Sequence, residues 1–457
     1  MTKIKRIIRI CFSLLISVIV ATAAGCSANE KSEVKKPKTT LEISAAEVEL
    51  NEDETIVLTA TTNSDETVKW STSDEKIASV SASGRVIAKT VGEATISAQV
   101  ENLTEKCKVK VVKNADGTVI ELEKAANLSL ATGAEKIKGS VTVNGVKTDL
   151  DGSGAAFSVD DERVATVSSD GTITPLKAGS AFLEITVGKK KKSFSLEVYT
   201  AFIATADDWN AMLAAEGNPN ARYLVTEDID FTDKEYRAKT ENGGSVILKN
   251  SVSGSIDGGG HSIKNITMPS DVVEQSLFGT VVGFTLENIS FENVRFTSVA
   301  CGIAVRMIQH YDEVDENGSV IPGSSKVAYD KIKNVSLDFV YENNGARGIC
   351  GAYYGGGLEN VFLNMRMADG KKFNEAADYA VTNIFYVWRD NNYFNNLIVL
   401  TEDGKVSLDW TVTEGSRDVS KDTTFVYENK MEACYKARSV FDPAVWTVIP
   451  GELPKLK

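Results

Sequence analysis

The 457-residue chain reads as all-β: two β-sandwich domains followed by a large domain of parallel, stacked coils. Three observations carry this reading. Val, Ile, Thr and Ser dominate residues 41–200, in short runs broken by turn residues and without the periodicity of long helices. Within that region residues 70–112 align without a gap to residues 157–199, at an offset of 87, so a unit has been duplicated. Later in the chain one local setting returns five times around an Asn: IKNI at Asn265, LENI at Asn288, IKNV at Asn334, LENV at Asn360 and FNNL at Asn396. Each Asn follows an apolar residue by two positions and precedes apolar residues by one and three. A straight strand alternates with a period of two, so the chain must bend at the Asn. A recurring strand, bend and strand is the pattern of a chain wound into stacked coils.

Composition sets bounds on partners. The net charge is −13, and Lys189 to Lys192 form the one basic block, which argues against nucleic acid and for an exported protein. Apart from Cys11 and Cys26 the cysteines are Cys107, Cys301, Cys350 and Cys434, too few for a disulfide scaffold.

Residues 1–25 read as a secretion signal. Lys3, Lys5, Arg6 and Arg9 precede an apolar run from Ile10 to Val20 that is too short to span a bilayer. The following Ala23-Ala24-Gly25-Cys26 resembles a bacterial lipoprotein box. The resemblance implies that Cys26 is lipidated and becomes the first mature residue, anchoring the protein to the extracellular face of the cell membrane. Each buried CH₂ of such an anchor contributes ~0.8 kcal/mol. Residues 26–40 are polar and aperiodic, and are expected to form a tether.

The duplicated unit predicts sandwich domains over 41–113 and 120–200. Ile77 and Val80 face inward, Ser83-Gly84 turns, Val86 begins a strand, and Ala94, Ile96 and Ala98 alternate inward after Gly92. The run WSTSDEKIASVSASGRVIAKTVGEATI resembles the bacterial immunoglobulin-like domains of group 2. The second copy departs from it, with Phe157 in place of Trp70 and Pro175 in place of Ala88. The resemblance implies a spacer or adhesive module. Cys107 aligns with Phe194, which predicts a buried apolar role.

Residues 201–457 are assigned to the coiled domain. Thr205 is placed to cap a short helix, with Asp207 and Asp208 at its N-terminus and Trp209, Met212 and Leu213 on one apolar face, ending at Gly217. Such a helix covers the otherwise unpaired first coil. The run from Asp228 through GSIDGGGHSIKNI to SLFGTVVGFTLENISFENV resembles the right-handed parallel β-helix proteins of the pectate-lyase-like class, which implies fold more than activity. Equivalent Asn residues in stacked coils, ~4.8 Å apart, can donate amide hydrogen bonds up the stack, and Asn tolerates the left-handed backbone of a tight bend. Phe278-Gly279, Cys301-Gly302 and Cys350-Gly351 are aligned as equivalent points, which predicts Cys301 stacked beside Cys350.

Candidate functional residues fall in two groups. Counting four residues past each Asn places Glu292, Asp338 and Asn364 in one outward column with Arg366 nearby, a carboxylate pair suited to acid/base work on a sugar chain. Tyr353, Tyr354, Tyr386, Trp388, Arg389 and Tyr393 form an aromatic-rich stretch that offers stacking faces to a glycan or contacts to a surface protein. His261 and His310, the two histidines, have no catalytic partner in the pattern. The acidic insertion Asp312, Glu313, Asp315, Glu316 ends in Asn317-Gly318, which suits a hairpin. Ser324 stands where a calcium loop needs Glu, so no metal or other cofactor is expected. The expectation is a non-catalytic surface protein that binds a glycan or a surface partner; the alternative is a polysaccharide lyase or hydrolase.

Overall fold

The computed structural model describes residues 39–457 except 65, 114–116, 238–249, 273, 309, 312–320, 322–325, 328, 343–346, 354–355, 369–382, 389–391, 402–410 and 413–423. The lipidation candidate Cys26 lies outside the described residues.

The duplication is reproduced strand for strand. Lys69–Thr72, Ala78–Val80, Arg85–Ala88, Gly92–Val100 and Leu103–Val112 recur 87 residues later as Ala156–Val159, Ala165–Val167, Thr172–Pro175, Gly179–Val187 and Lys190–Tyr199. Each copy packs a four-stranded sheet against a three-stranded one, and in each the second strand, Glu47–Asn51 or Ala126–Ser129, joins the last in parallel. The turn glycine is required in both. Gly84 has φ +82°, and a Cβ there would lie 2.1 Å from the Leu58 carbonyl oxygen and 2.9 Å from the Trp70 ring. Gly171 has φ +81°, and its Cβ would meet the Phe157 ring at 3.0 Å. Phe157 thus fills the slot that Trp70 fills in the first copy. Cys107 is fully buried, as expected.

The junctions between domains are packed. Arg85 pairs with Asp160 and lies 4.1 Å above the Phe182 ring. Lys190, 3% exposed, donates to the Glu52 carbonyl, and Thr55 Oγ1 meets Ser193 Oγ at 2.7 Å. Two residues of the basic block, Lys190 and Lys192, thus reach the first sandwich, Lys192 at 3.7 Å from Asp53, while Lys191 pairs with Glu184 of its own sandwich. Thr200 alone separates the last sandwich strand from Ala201–Ile203, the first strand of the next domain. Arg222 closes that second junction, 2.7 Å from Glu197, 3.1 Å from Ser180 and above the Tyr199 ring.

The third domain is a parallel β-helix. Thr280–Phe296, Asp330–Tyr341, Gly356–Met367 and Asn392–Thr401 pair in parallel, coil on coil. Each bends at an Asn in the left-handed region, with φ of 54° at Asn288, 51° at Asn334, 54° at Asn360 and 61° at Asn396. The amides form the expected ladder: Asn334 Nδ2 donates to Asn288 Oδ1 at 3.0 Å, Asn360 to Asn334 at 3.1 Å and Asn396 to Asn360 at 2.9 Å. Inward positions stack as Ile289, Val335, Val361 and Leu397 and as Phe291, Leu337, Leu363 and Val399, all buried.

Two register expectations are corrected. Asn265 belongs to a second corner. Its strand neighbours Ile263 and Lys264 pair with Phe291 and Glu292, and its side chain accepts from Asn293 Nδ2 at 2.9 Å. The foot of the Asn288 ladder is instead Asp257, whose Oδ1 accepts from Asn288 Nδ2 at 3.1 Å. Cys350 pairs with Ala304, three positions past Cys301, so the two cysteines are not stacked partners. Bulges shift the register at several coils, and the spacing of the X-Gly dipeptides does not carry those shifts. Both cysteines are buried thiols, as are Cys107 and Cys434.

Helix α1 (Ala206–Ala214) closes the first coil as expected. Thr205 and Asp208 form a reciprocal capping box, and Trp209, Met212 and Leu213 are buried. The helix ends at Ala215 rather than Gly217. A second helix, α2 (Lys430–Val440), is an addition to the expected architecture. It covers the outward side chains Phe362, Ile398 and Leu400 with Ala433, Ala437, Phe441 and Trp446. The segment after it runs back along the coils: Pro454 O accepts from Ser336 Oγ at 3.0 Å, and a Cβ on Gly260 would meet the Lys457 carbonyl oxygen at 2.4 Å.

Asp330, 1% exposed, begins the coil that follows the acidic insertion. Its Oδ1 accepts from the Phe284 amide at 2.8 Å, while Oδ2 has no partner among the described residues. Burial pushes its carboxyl up to about 8, against the opposing pull of the Phe284, Gly283 and Ile308 amides. A carboxyl raised above its unfolded value stabilises the fold fully below about pH 4 and progressively less as the pH climbs through about 8. Asp330→Asn therefore flattens the fall in melting temperature between these limits and raises it by several degrees at pH 8.5. Parallel pH dependences for the two proteins would contradict this origin.

Candidate functional site

A groove of about 350 Å³ lies between the coils and the segment after α2. Ser290, Glu292, Ser336 and Asp338 line its coil side, and Lys430, Glu452 and Lys455 its other side. The two carboxylates singled out in the sequence thus face one groove, but they are not equivalent. The pairing shifts by one residue between Phe291 and Val294, so Asn293 rather than Glu292 meets Asp338. The Asn293 amide donates to Asp338 Oδ2 at 3.2 Å, and Glu292 Oε1 instead accepts from Ser262 Oγ at 2.9 Å.

Asp338 is heavily committed. Arg366 grips it in bidentate fashion, Nε to Oδ1 at 3.1 Å and a terminal nitrogen to Oδ2 at 3.0 Å. Asn364 Nδ2 adds a bond to Oδ1 at 2.7 Å. Four donors around a carboxylate whose side chain is 13% exposed fix its orientation. Arg366 also reaches Asn293 Oδ1 at 3.3 Å, which ties this cluster to the second Asn corner, through Asn265 to Asp230. Asp338, Arg366 and Asn364 therefore continue the ladder with charged groups where the bulge interrupts it.

Part of the aromatic stretch lies in described strands. Tyr353 is the register partner of Trp388 in the next coil, and Trp388 of Val412 beyond it. Tyr353 also pairs with Met307, which is buried, as is Val281 one coil earlier in the same column. Tyr386 lies in the Trp388 strand, Asn383–Trp388, whereas Tyr393 pairs with Gly357 on a different face of the coil. Tyr354 and Arg389 lie outside the described residues. The structure therefore brings Tyr353 and Trp388 into one column and sets Tyr393 apart.

His261 Nδ1 lies 3.4 Å from Asp228, a carboxylate that also accepts from Lys264 at 3.0 Å and from the Ser262 amide at 3.0 Å. The desolvation of Asp228 is outweighed by these donors, which hold its carboxyl below the usual range. His310 pairs across two short strands, His310–Tyr311 with Lys326–Val327, at the base of the acidic insertion; the expected turn at Asn317-Gly318 lies outside the described residues. Among the described residues no group of three or more His, Cys, Asp and Glu side chains is arranged to hold a metal ion.

Sequence reasoning missed a second carboxylate pair. Asp257 and Glu287 are outward register partners in adjacent coils. Burial, then the neighbouring Asp257, raises the Glu287 carboxyl against the pull of Lys331, Lys333 and Arg222. The signal was present in the runs SID and TLE, each a hydroxyl residue, an aliphatic residue and a carboxylate, which align once Asp257 is set against Glu287.

The family to which the first sandwich belongs is matched directly: residues 37–111 fit the bacterial Ig-like domain (group 2). No curated protein matches the chain significantly. Solved structures with detectable similarity include domains 5–6 of the S-layer protein SbsC, at 17% identity over 35% of this chain and 98% of that one, with a TM-score of 0.17. A longer portion of the same S-layer protein gives 18% identity over 32% of this chain and 23% of its own length, with a TM-score of 0.15. Human protocadherin-24 EC1-2 gives 14% identity over 36% and 98%, with a TM-score of 0.16. At such scores the sandwich assignment rests on the strand registers and the family match. The chain is thus an all-β protein with a bacterial Ig-like domain, a second sandwich of the same design and a parallel β-helix.

Proposed function

We propose that this is a lipid-anchored protein of the bacterial cell surface, in which two Ig-like domains form a stalk that presents a β-helix for non-catalytic binding of a glycan or another surface. The observation that carries the reading is the pair of packed junctions: Arg85 with Asp160 and Lys190 with Glu52 at the first, Arg222 with Glu197 at the second. Charge-assisted contacts at both ends of the middle domain favour a stiff spacer over a freely jointed chain. The sequence Ala23-Ala24-Gly25-Cys26 supports the lipid anchor. The saturation of Asp338 by Arg366, Asn364 and the Asn293 amide supports a structural role for the one carboxylate that the lyase or hydrolase alternative needs most. A general acid or base must exchange a proton with substrate, and a carboxylate gripped by a guanidinium is poorly placed to do so.

The test is binding of the full mature chain to a glycan array and to isolated cell-wall fractions. The expected result is retention on a defined glycan or wall fraction. Deleting residues 201–457 should abolish that retention while circular dichroism shows both sandwiches still folded. No retention on any glycan or wall material would refute the binding role.

A further inference from the structure

The seam between the second sandwich and the first coils holds a cleft of about 350 Å³. Lys177, in the turn before Gly179–Val187, stands on the sandwich side, and Asn220, Arg222, Ser255 and Thr285 stand on the β-helix side. The backbone builds it. Gly254, at φ +84°, comes so close to the preceding coil that a Cβ would lie 2.3 Å from the Ala221 carbonyl oxygen. Gly283, at φ +56°, lines the cleft from the next coil. The register shifts between Val252 and Gly254, so two positions without side chains fall in successive coils and leave open space beside the seam.

The charge of the cleft runs against that of the molecule. The chain carries a net −13, yet the ionisable side chains lining this cleft, Lys177 and Arg222, are both cationic. Glu197 holds Arg222 in place at 2.7 Å. Lys177 is exposed and makes no ion pair among the described residues. Ser255 and Thr285 are register partners in adjacent coils, which sets their hydroxyls about one coil spacing, ~4.8 Å, apart on one wall. Neither hydroxyl, nor the Asn220 amide, has a side-chain hydrogen bond among the described residues. A cation beside solvent-accessible hydroxyl and amide groups that the protein leaves free to bond a ligand is complementary to an anion carried on a hydroxylated scaffold.

We propose that this cleft binds an anionic, polyhydroxylated group, a sugar or polyol bearing a carboxylate or a phosphate, with Lys177 pairing the anion and Asn220, Ser255 and Thr285 bonding the hydroxyls. The proposal rests on the glycan-binding reading and gives it a ligand class. A ligand seated here contacts both domains, so it binds across the junction that Arg222 closes.

The experiment is calorimetric titration of the full mature chain with three probes: a hexuronate oligosaccharide, a glycerol-phosphate oligomer and a neutral gluco-oligosaccharide. One acidic probe binds and the neutral one does not, and which acidic probe binds separates a carboxylate from a phosphate ligand. Raising the salt to about 0.5 M weakens binding by screening the Lys177 contact. Lys177→Glu weakens it at least about tenfold with an unchanged melting temperature, and Lys177→Arg retains most of it. Equal binding of the neutral probe, or acidic binding indifferent to Lys177→Glu, overturns the cleft assignment and leaves the glycan-binding role standing. Failure of the array and wall experiment as well overturns both.

Discussion

Asn334→Ala lowers the stability of the β-helix by about 3–5 kcal/mol, a large share of what a domain of this kind possesses. The contributions are separable. Asn334 holds φ at 51°, and placing Ala in that left-handed conformation costs about 1 kcal/mol. Its amide donates to Asn288 at 3.0 Å and accepts from Asn360 at 3.1 Å, and each bond is worth about 1 kcal/mol. Removing it also strands an acceptor below and a donor above at part-buried positions, and each adds a desolvation cost of about 1 kcal/mol. Asn334→Gly recovers the backbone part alone and should be about 1 kcal/mol more stable than Asn334→Ala. Urea unfolding of both variants checks the division. An Ala variant as stable as the parent would mean that the ladder is ornamental.

The second large effect is at the N-terminal end of the stack. Trp209 is fully buried under α1, its ring centroid 5.9 Å from Phe291 and 6.0 Å from Phe278. Trp209→Ala leaves a cavity that costs about 3–5 kcal/mol. It also loosens the helix that covers Ala201–Ile203 and the first coil, and an uncovered parallel edge is a template for another chain. Lowered unfolding midpoints together with increased light scattering are expected. A folded, monomeric variant of parental stability would show that the first coil needs no cover.

These two effects also show how much of the molecule could be read from its sequence. The sandwich duplication was legible because five strands repeat at a fixed offset, with the same turn glycine before the third strand. The Asn bends were legible because a single residue interrupts an otherwise strict alternation. Their order was less so. IKNI at Asn265 and IKNV at Asn334 look alike, yet they sit at different corners, because a coil has more than one bend and local pattern does not say which. The stacking of Cys301 on Cys350 failed for a related reason: bulges insert single residues that leave no mark in hydrophobicity. Helix α2 escaped notice because its buried face is made of Ala433, Cys434 and Ala437, small residues that give little amphipathic contrast. Asn429 as its cap, accepting from the Met431 amide at 2.8 Å, was the available signal.

The candidate site was legible in part. An outward carboxylate at Asp338 with Arg366 close by followed from counting along the coil. Asn364 beside it followed from the same counting, and the two are register partners. That the carboxylate also receives the Asn293 amide did not, because that contact arises from the bulge. The junction cleft was invisible from sequence because its residues, Lys177, Asn220, Ser255 and Thr285, come from segments spread over more than 100 residues and carry no motif.

Binding without turnover is tested most directly by incubating the full mature chain with whichever glycan it retains and assaying that glycan for new reducing ends or unsaturated products. The expected result is a glycan recovered intact. Asp338→Asn should bind as the parent does while melting at a lower temperature, since the change removes charge from a structural cluster. Cleavage by the parent that disappears in Asp338→Asn would contradict this reading of the β-helix.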